Sequence, residues 1–181
     1  MLIYHTVALL AAAFSAVMGF RRGFARRVPA LIGLALGIVC CHIFMNPLSE
    51  ILYGAIPSAH GAVSERYLYS TLSAAIILTG VYLIFNALTF FVGRALARGE
   101  HSILNNIGGA LFSLFRTLLF LSLAYNLLLA VRPGCGLLNS LKSDDGNIVE
   151  GVMLVGPALT GSESPEEFAH TVQVQEARKI S

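Results

Sequence analysis

The chain has 181 residues, 56% of them hydrophobic and only 12% charged, with 12 Lys and Arg against 10 Asp and Glu for a formal net charge of +2. Soluble domains carry about twice that share of charge, so with a mean hydropathy of +0.74 an ordinary water-soluble globule is excluded, and so is a disordered chain. The small net charge excludes a nucleic-acid partner of the electrostatic kind.

Charge is absent from long stretches. Residues 1–20, 28–49 and 67–93 contain no Asp, Glu, Lys or Arg, and 101–131 contain only Arg116. A helix rising 1.5 Å per residue needs about 20 apolar residues to cross a hydrocarbon core of roughly 30 Å. Each window therefore holds one crossing, at about 2–20, 28–45, 72–93 and 107–131. Helices are expected, because a lipid-exposed backbone must satisfy its own hydrogen bonds and no alternating barrel pattern occurs. The fold class predicted is all-α: a polytopic membrane protein with four transmembrane helices plus a short C-terminal extramembrane helix. Residues 1–131 form the membrane domain and 132–181 an acidic tail.

The first span is read as a membrane anchor rather than an export signal, since its basic cluster follows the apolar stretch instead of leading it. That cluster holds Arg21, Arg22, Arg26 and Arg27 in the first connection; the third connection holds Arg94 and Arg98, and the second only Arg66. By the positive-inside rule the first and third connections are cytoplasmic and both termini lie outside. The segment Gly19-Phe20-Arg21-Arg22-Gly23-Phe24-Ala25-Arg26-Arg27 would then face anionic lipid headgroups of the inner leaflet, or serve simply as a topological determinant.

In the second connection Asn46-Pro47 has the form of an N-cap and first helical residue. Leu48, Ile51, Leu52, Ala55 and Ile56 follow at helical spacing, as either a short interfacial helix or a loop packed on the bundle. After the fourth span, Arg132 to Gly136 stops the helix and Lys142 to Asn147 forms a turn. Ile148 to Leu159 is apolar, broken by Gly151, Gly156 and Pro157, and is expected to dock on the outer surface. Ser164-Pro165-Glu166-Glu167 opens an amphipathic helix reaching Arg178-Lys179.

No catalytic residues, metal ligands or cofactor are expected. His5, His42, His60, His101 and His170 show no ligand spacing. Cys40 and Cys41 are adjacent inside a span and Cys135 stands alone, so no disulfide framework is implied. The windows carry no carboxylate for an aspartyl or metallo intramembrane protease or for a proton relay.

Two features remain as candidates. Arg116 lies about 13 Å along its helix from the cytoplasmic end. It is costly there unless partnered, with Asn86 at similar depth as the expected partner and simple anchoring as the alternative. Small residues recur at helical spacing at Ala11, Ser15 and Gly19, at Gly33 and Gly37, and at Gly109 and Ser113. Such faces permit close helix approach within a bundle or an oligomer.

The pattern Gly19-x-x-Arg22-Gly23-Phe24-x-Arg26 after a first span, with a fourth span opening on Gly109 and carrying Arg116, resembles the colicin V production protein (CvpA) family over residues 1–131. The acidic residue that this family often shows before span four falls at Asn105 here. The resemblance implies a bacterial inner-membrane protein associated with colicin V production or export and envelope robustness. It would act as a non-enzymatic scaffold or accessory component. Related bundles occur fused to periplasmic serine proteases, and only their membrane module corresponds to this chain. A homo-oligomer or an envelope protein partner is expected. The alternative is an oligomeric channel or transporter subunit with Arg116 and Asn86 in a polar interior.

Overall fold

The computed structural model describes residues 2–24, 27–55, 62–92, 103–132 and 148–180. They form six helices: α1 (Leu2–Arg22), α2 (Val28–Ala55), α3 (Ala62–Val92), α4 (Ile103–Val131), α5 (Ile148–Thr160) and α6 (Pro165–Ile180). The first four are long and apolar enough to cross a membrane, as the four charge-poor windows predict. Ile3, Leu10, Phe14, Ile43, Phe44, Ile84 and Leu111 are among the large apolar side chains on their outer surfaces. That outward apolarity is what lipid as the surrounding solvent requires.

The four spans run up and down but do not simply pack in sequence order. α2 lies along α3 and α1 lies along α4, and the two pairs meet mainly through α3 and α4. Small residues set both pairings. A Cβ built on Gly109 would meet the Gly19 carbonyl oxygen at 2.6 Å, so the α1 and α4 backbones touch only because both residues lack side chains. Gly33 lies against Phe85, and a Cβ at Gly37 would meet Leu78 at 3.1 Å, which brings α3 close to α2. The small-residue spacing therefore serves contacts within the chain. Ser15 is buried on α1 and turns its hydroxyl back to the Ala12 carbonyl at 3.0 Å, while Ala11 is half-buried.

Several boundaries differ from the sequence expectation. Asn46-Pro47 does not start a new helix; α2 continues through Pro47 to Ala55. A proline there forfeits one backbone bond, a loss that apolar packing of the preceding turns overrides, and the Ser49 hydroxyl adds a bond to the Asn46 carbonyl at 2.8 Å. α3 starts ten residues before the expected span, carrying Glu65 in its first turn where the helix dipole favours an acid. α4 likewise begins at Ile103.

The largest difference is α5. Rather than lying on the outer surface, it is wedged into the bundle, with Val149 and Met153 fully buried and joined to Ala8, Tyr67, Tyr125 and Leu129 in one apolar cluster. One core thus crosses the boundary expected at residue 131. α5 ends at Gly161, whose φ of +73° turns the chain sharply and whose N–H donates to the Pro157 carbonyl at 2.9 Å. α6 starts as the sequence indicates. Ser164 accepts the Glu167 N–H at 3.3 Å, Pro165 takes the first position, and Glu166 and Glu167 fill the first turn. Phe168 of α6 then stacks on Tyr67 of α3 with ring centroids 4.4 Å apart.

Candidate functional site: an intramembrane arginine and an interior polar network

Arg116 points to the seam between α3 and α4. Its Nη1 donates to the Tyr82 hydroxyl at 2.7 Å, and its Cζ lies 5.8 Å from the Tyr82 ring centroid. Tyr82 is buried in the core and packs edge-on against Phe120 at 5.4 Å. The phenol, not Asn86, is therefore the arginine's partner. Asn86 sits one helical turn further along α3, exposed at the surface. Tyrosine hides in a count of charges and amides because its ring reads as apolar, yet its hydroxyl is a good acceptor. A shallow groove of about 360 Å³ runs beside the pair, lined by Tyr82, Arg116, Thr117, Phe120, Leu121 and Ala124.

A second polar group lies deeper in the bundle. Asn126 of α4, fully buried, accepts the Tyr67 hydroxyl at 2.6 Å through Oδ1, and its Nδ2 donates to the carbonyls of Ser122 and Met153 at 2.9 and 2.8 Å. The Ser122 hydroxyl donates to the same Met153 carbonyl at 2.8 Å and accepts the Gly156 N–H at 2.7 Å. The sequence of α5 explains why this works. Pro157 has no N–H to offer the carbonyl four residues earlier, which is that of Met153, so this oxygen is left for α4. Gly156 lacks the Cβ that would meet Ser122 Oγ at 2.7 Å. The Gly-Pro pair that reads as an interruption is the docking device. The signal available in the sequence was Asn126 itself, an amide inside an apolar span.

At the end of the bundle where α5 and α6 sit, a cleft of about 680 Å³ is lined by residues including Asn46, Glu50, Tyr53, Arg66, Tyr69 and Glu163. Arg66 pairs with Glu163 across it, with side chains 83% and 31% exposed. Tyr53 and Tyr69 meet edge-on at 5.7 Å.

The basic connection lies at the opposite end and has a defined shape. Gly23 adopts φ +71° and closes α1 with its N–H on the Gly19 carbonyl at 3.2 Å. Phe24 then turns onto α4. Its N–H is held by both the carbonyl and the side-chain Oδ1 of Asn105, at 2.8 and 2.9 Å. Its ring lies against Gly108 and edge-on to Phe112. Arg27 reaches back to the Met18 carbonyl at 3.3 Å, Arg21 is exposed and Arg22 ends α1. Arg26, the turn at 142–147, Cys135, His60 and His101 lie outside the described residues.

Cys40 and Cys41 are free thiols in α2, Cys41 fully buried. Among the described residues no three His, Cys, Asp or Glu side chains gather into a group able to hold a metal ion.

Comparison with known proteins gives one family. The family described as Colicin V production protein matches residues 5–135, a stretch that takes in the Gly23-Phe24 turn, Arg116 and Asn126. No curated protein and no solved structure matches.

Proposed function

The chain belongs to the colicin V production protein family, and from that premise we propose that it is a non-enzymatic scaffold or accessory protein of the bacterial inner membrane. Its roles would be colicin V or toxin production or export, and envelope maintenance. The observation that supports a scaffold is the use made of the interior polar groups. Asn126, Ser122 and Tyr67 are engaged with one another and with α5, which fills the space between the two helix pairs. Polar side chains committed to internal hydrogen bonds rigidify a bundle rather than line a passage.

In the bilayer the basic connection faces the cytoplasm and anionic headgroups, following the Lys and Arg bias. Both termini then face the periplasm, and α5 enters the bundle from that side. Modification of Cys135 by an impermeant maleimide added to intact spheroplasts is the expected result; modification only after the membrane is breached overturns this orientation.

A second reading, an oligomeric channel, draws on Asn86 and the Arg116 groove both reaching the surface of the bundle. Reconstitution into proteoliposomes separates the two. The scaffold is expected to leave ion flux at background while a partner protein co-purifies from native membranes. Reproducible conductance that Arg116→Ala abolishes overturns the scaffold reading. Unaided turnover of a substrate by the purified chain overturns the non-enzymatic assignment.

A further inference from the structure

The Arg116 groove has a charge that no Asp or Glu among the described residues balances. The apolar windows at 1–20, 28–49, 67–93 and 101–131 contain no Asp or Glu. Arg116 lies 11 residues from one end of the span Asn105–Val131 and 15 from the other, about 16 Å and 22 Å along the helix. That is close to the middle of the hydrocarbon, where a cation is tolerated only with partners. Its hydrogen bond to Tyr82 holds the guanidinium at this depth instead of extended toward a headgroup. A guanidinium carries five N–H donors, and a single phenol occupies one.

The surface around it suits a helix. Thr117, Leu121 and Ala124 follow one another at spacings of four and three along α4, a stripe that is half-exposed at Thr117 and Leu121 and open at Ala124. The small side chains at Thr117 and Ala124, two turns apart, leave room for a neighbouring backbone, as helix pairs in membranes require. A second copy of this chain does not fit the charge. Its spans bring no carboxylate at this depth and would set arginine against arginine.

From this charge complementarity we infer that the Arg116 groove docks a transmembrane helix of another protein that carries a carboxylate near its midpoint, which the guanidinium receives beside Tyr82. The inference rests on the scaffold reading and names the chemistry of the partner that the scaffold holds.

The test uses the full-length protein, fluorescently labelled, in phosphatidylcholine vesicles with a labelled single-span Leu/Ala peptide bearing one central Glu, and the same peptide with Leu in its place. Energy transfer is expected to half-saturate at about tenfold lower peptide density for the Glu peptide, the scale of one interhelical polar contact. Arg116→Gln removes that preference, whereas Arg116→Lys and Tyr82→Phe retain it, the last showing that the cation rather than an intact phenol carries it. Equal association of the two peptides, or a Glu preference undiminished in Arg116→Gln, overturns the inference. So does loss of the preference when phosphatidylglycerol is added, which assigns the groove to a lipid phosphate. Arg116-dependent transfer between two labelled copies of the full chain overturns it in favour of self-association. Failure here with a partner still co-purifying from native membranes leaves the scaffold standing, whereas Arg116-dependent conductance removes the scaffold itself.

Discussion

Asn105 grips the amide of Phe24 with two acceptors, its own carbonyl at 2.8 Å and its side-chain Oδ1 at 2.9 Å. This clamp joins the chain leaving α1 to the start of α4, the two elements that Gly19 and Gly109 bring together. An aspartate at this position would supply the same acceptor.

Asn105→Asp is therefore expected to keep the turn, and Asn105→Leu to weaken it by about 0.5–1 kcal/mol, because the side-chain acceptor is lost while the main-chain carbonyl still accepts the Phe24 N–H. Unfolding in detergent measures the stability. Amide exchange at Phe24 reports the clamp directly and should quicken in the Leu variant alone.

Asn126→Leu leaves the Tyr67 hydroxyl without its acceptor and removes one of the two α4 donors to the Met153 carbonyl. A loss of about 1–3 kcal/mol is expected, together with faster exchange of α5 amides and protease cleavage after Gly161. Ser122→Ala should act in the same direction, because it removes the other donor to that carbonyl. A double-mutant cycle then measures the coupling between them.

Gly19→Ala and Gly80→Ala make a matched pair. At Gly19 the new methyl group runs into the α4 backbone at Gly109 and Ala110, whereas at Gly80 it meets nothing within 4 Å. Overpacking of about 1–3 kcal/mol is expected at Gly19. At Gly80 a small gain of about 0.5–1 kcal/mol is expected from helix propensity. Reversible unfolding in mixed micelles distinguishes them by sign.

Arg66→Ala should change stability by less than about 1 kcal/mol, because the Arg66 side chain is 83% exposed and its ion pair with Glu163 is screened by solvent. The residual effect is expected to vanish in high salt, which a titration of unfolding midpoints against ionic strength will show.

Much of the fold can be read directly from the chain. Three charge-free windows and a fourth that carries only Arg116 become four spans, and Gly33, Gly37, Gly19 and Gly109 mark faces where helices meet. Ser164-Pro165 opens its helix as its chemistry dictates. What escapes is long-range. Nothing local in α1 says that it packs on α4 more than on α2, since small residues advertise close contact but not the partner. Pro47 reads as a beginning because its effect on a backbone is local, while the packing that carries α2 past it is tertiary. The candidate site divides in the same way. Arg116 stands out as a lone charge, but its partner Tyr82 is counted among apolar residues. Gly156-Pro157 signals a broken helix until Ser122 and Asn126 are seen to use the break.

The wedge formed by α5 has a bearing on biogenesis. Synthesis delivers the four crossings before this segment leaves the ribosome, so the nascent bundle enters lipid with a slot between its helix pairs and Ser122 and Asn126 still lacking their α5 partner. Closure waits for the Met153 carbonyl to arrive. Until then those amide and hydroxyl groups lack the partner that the finished fold gives them.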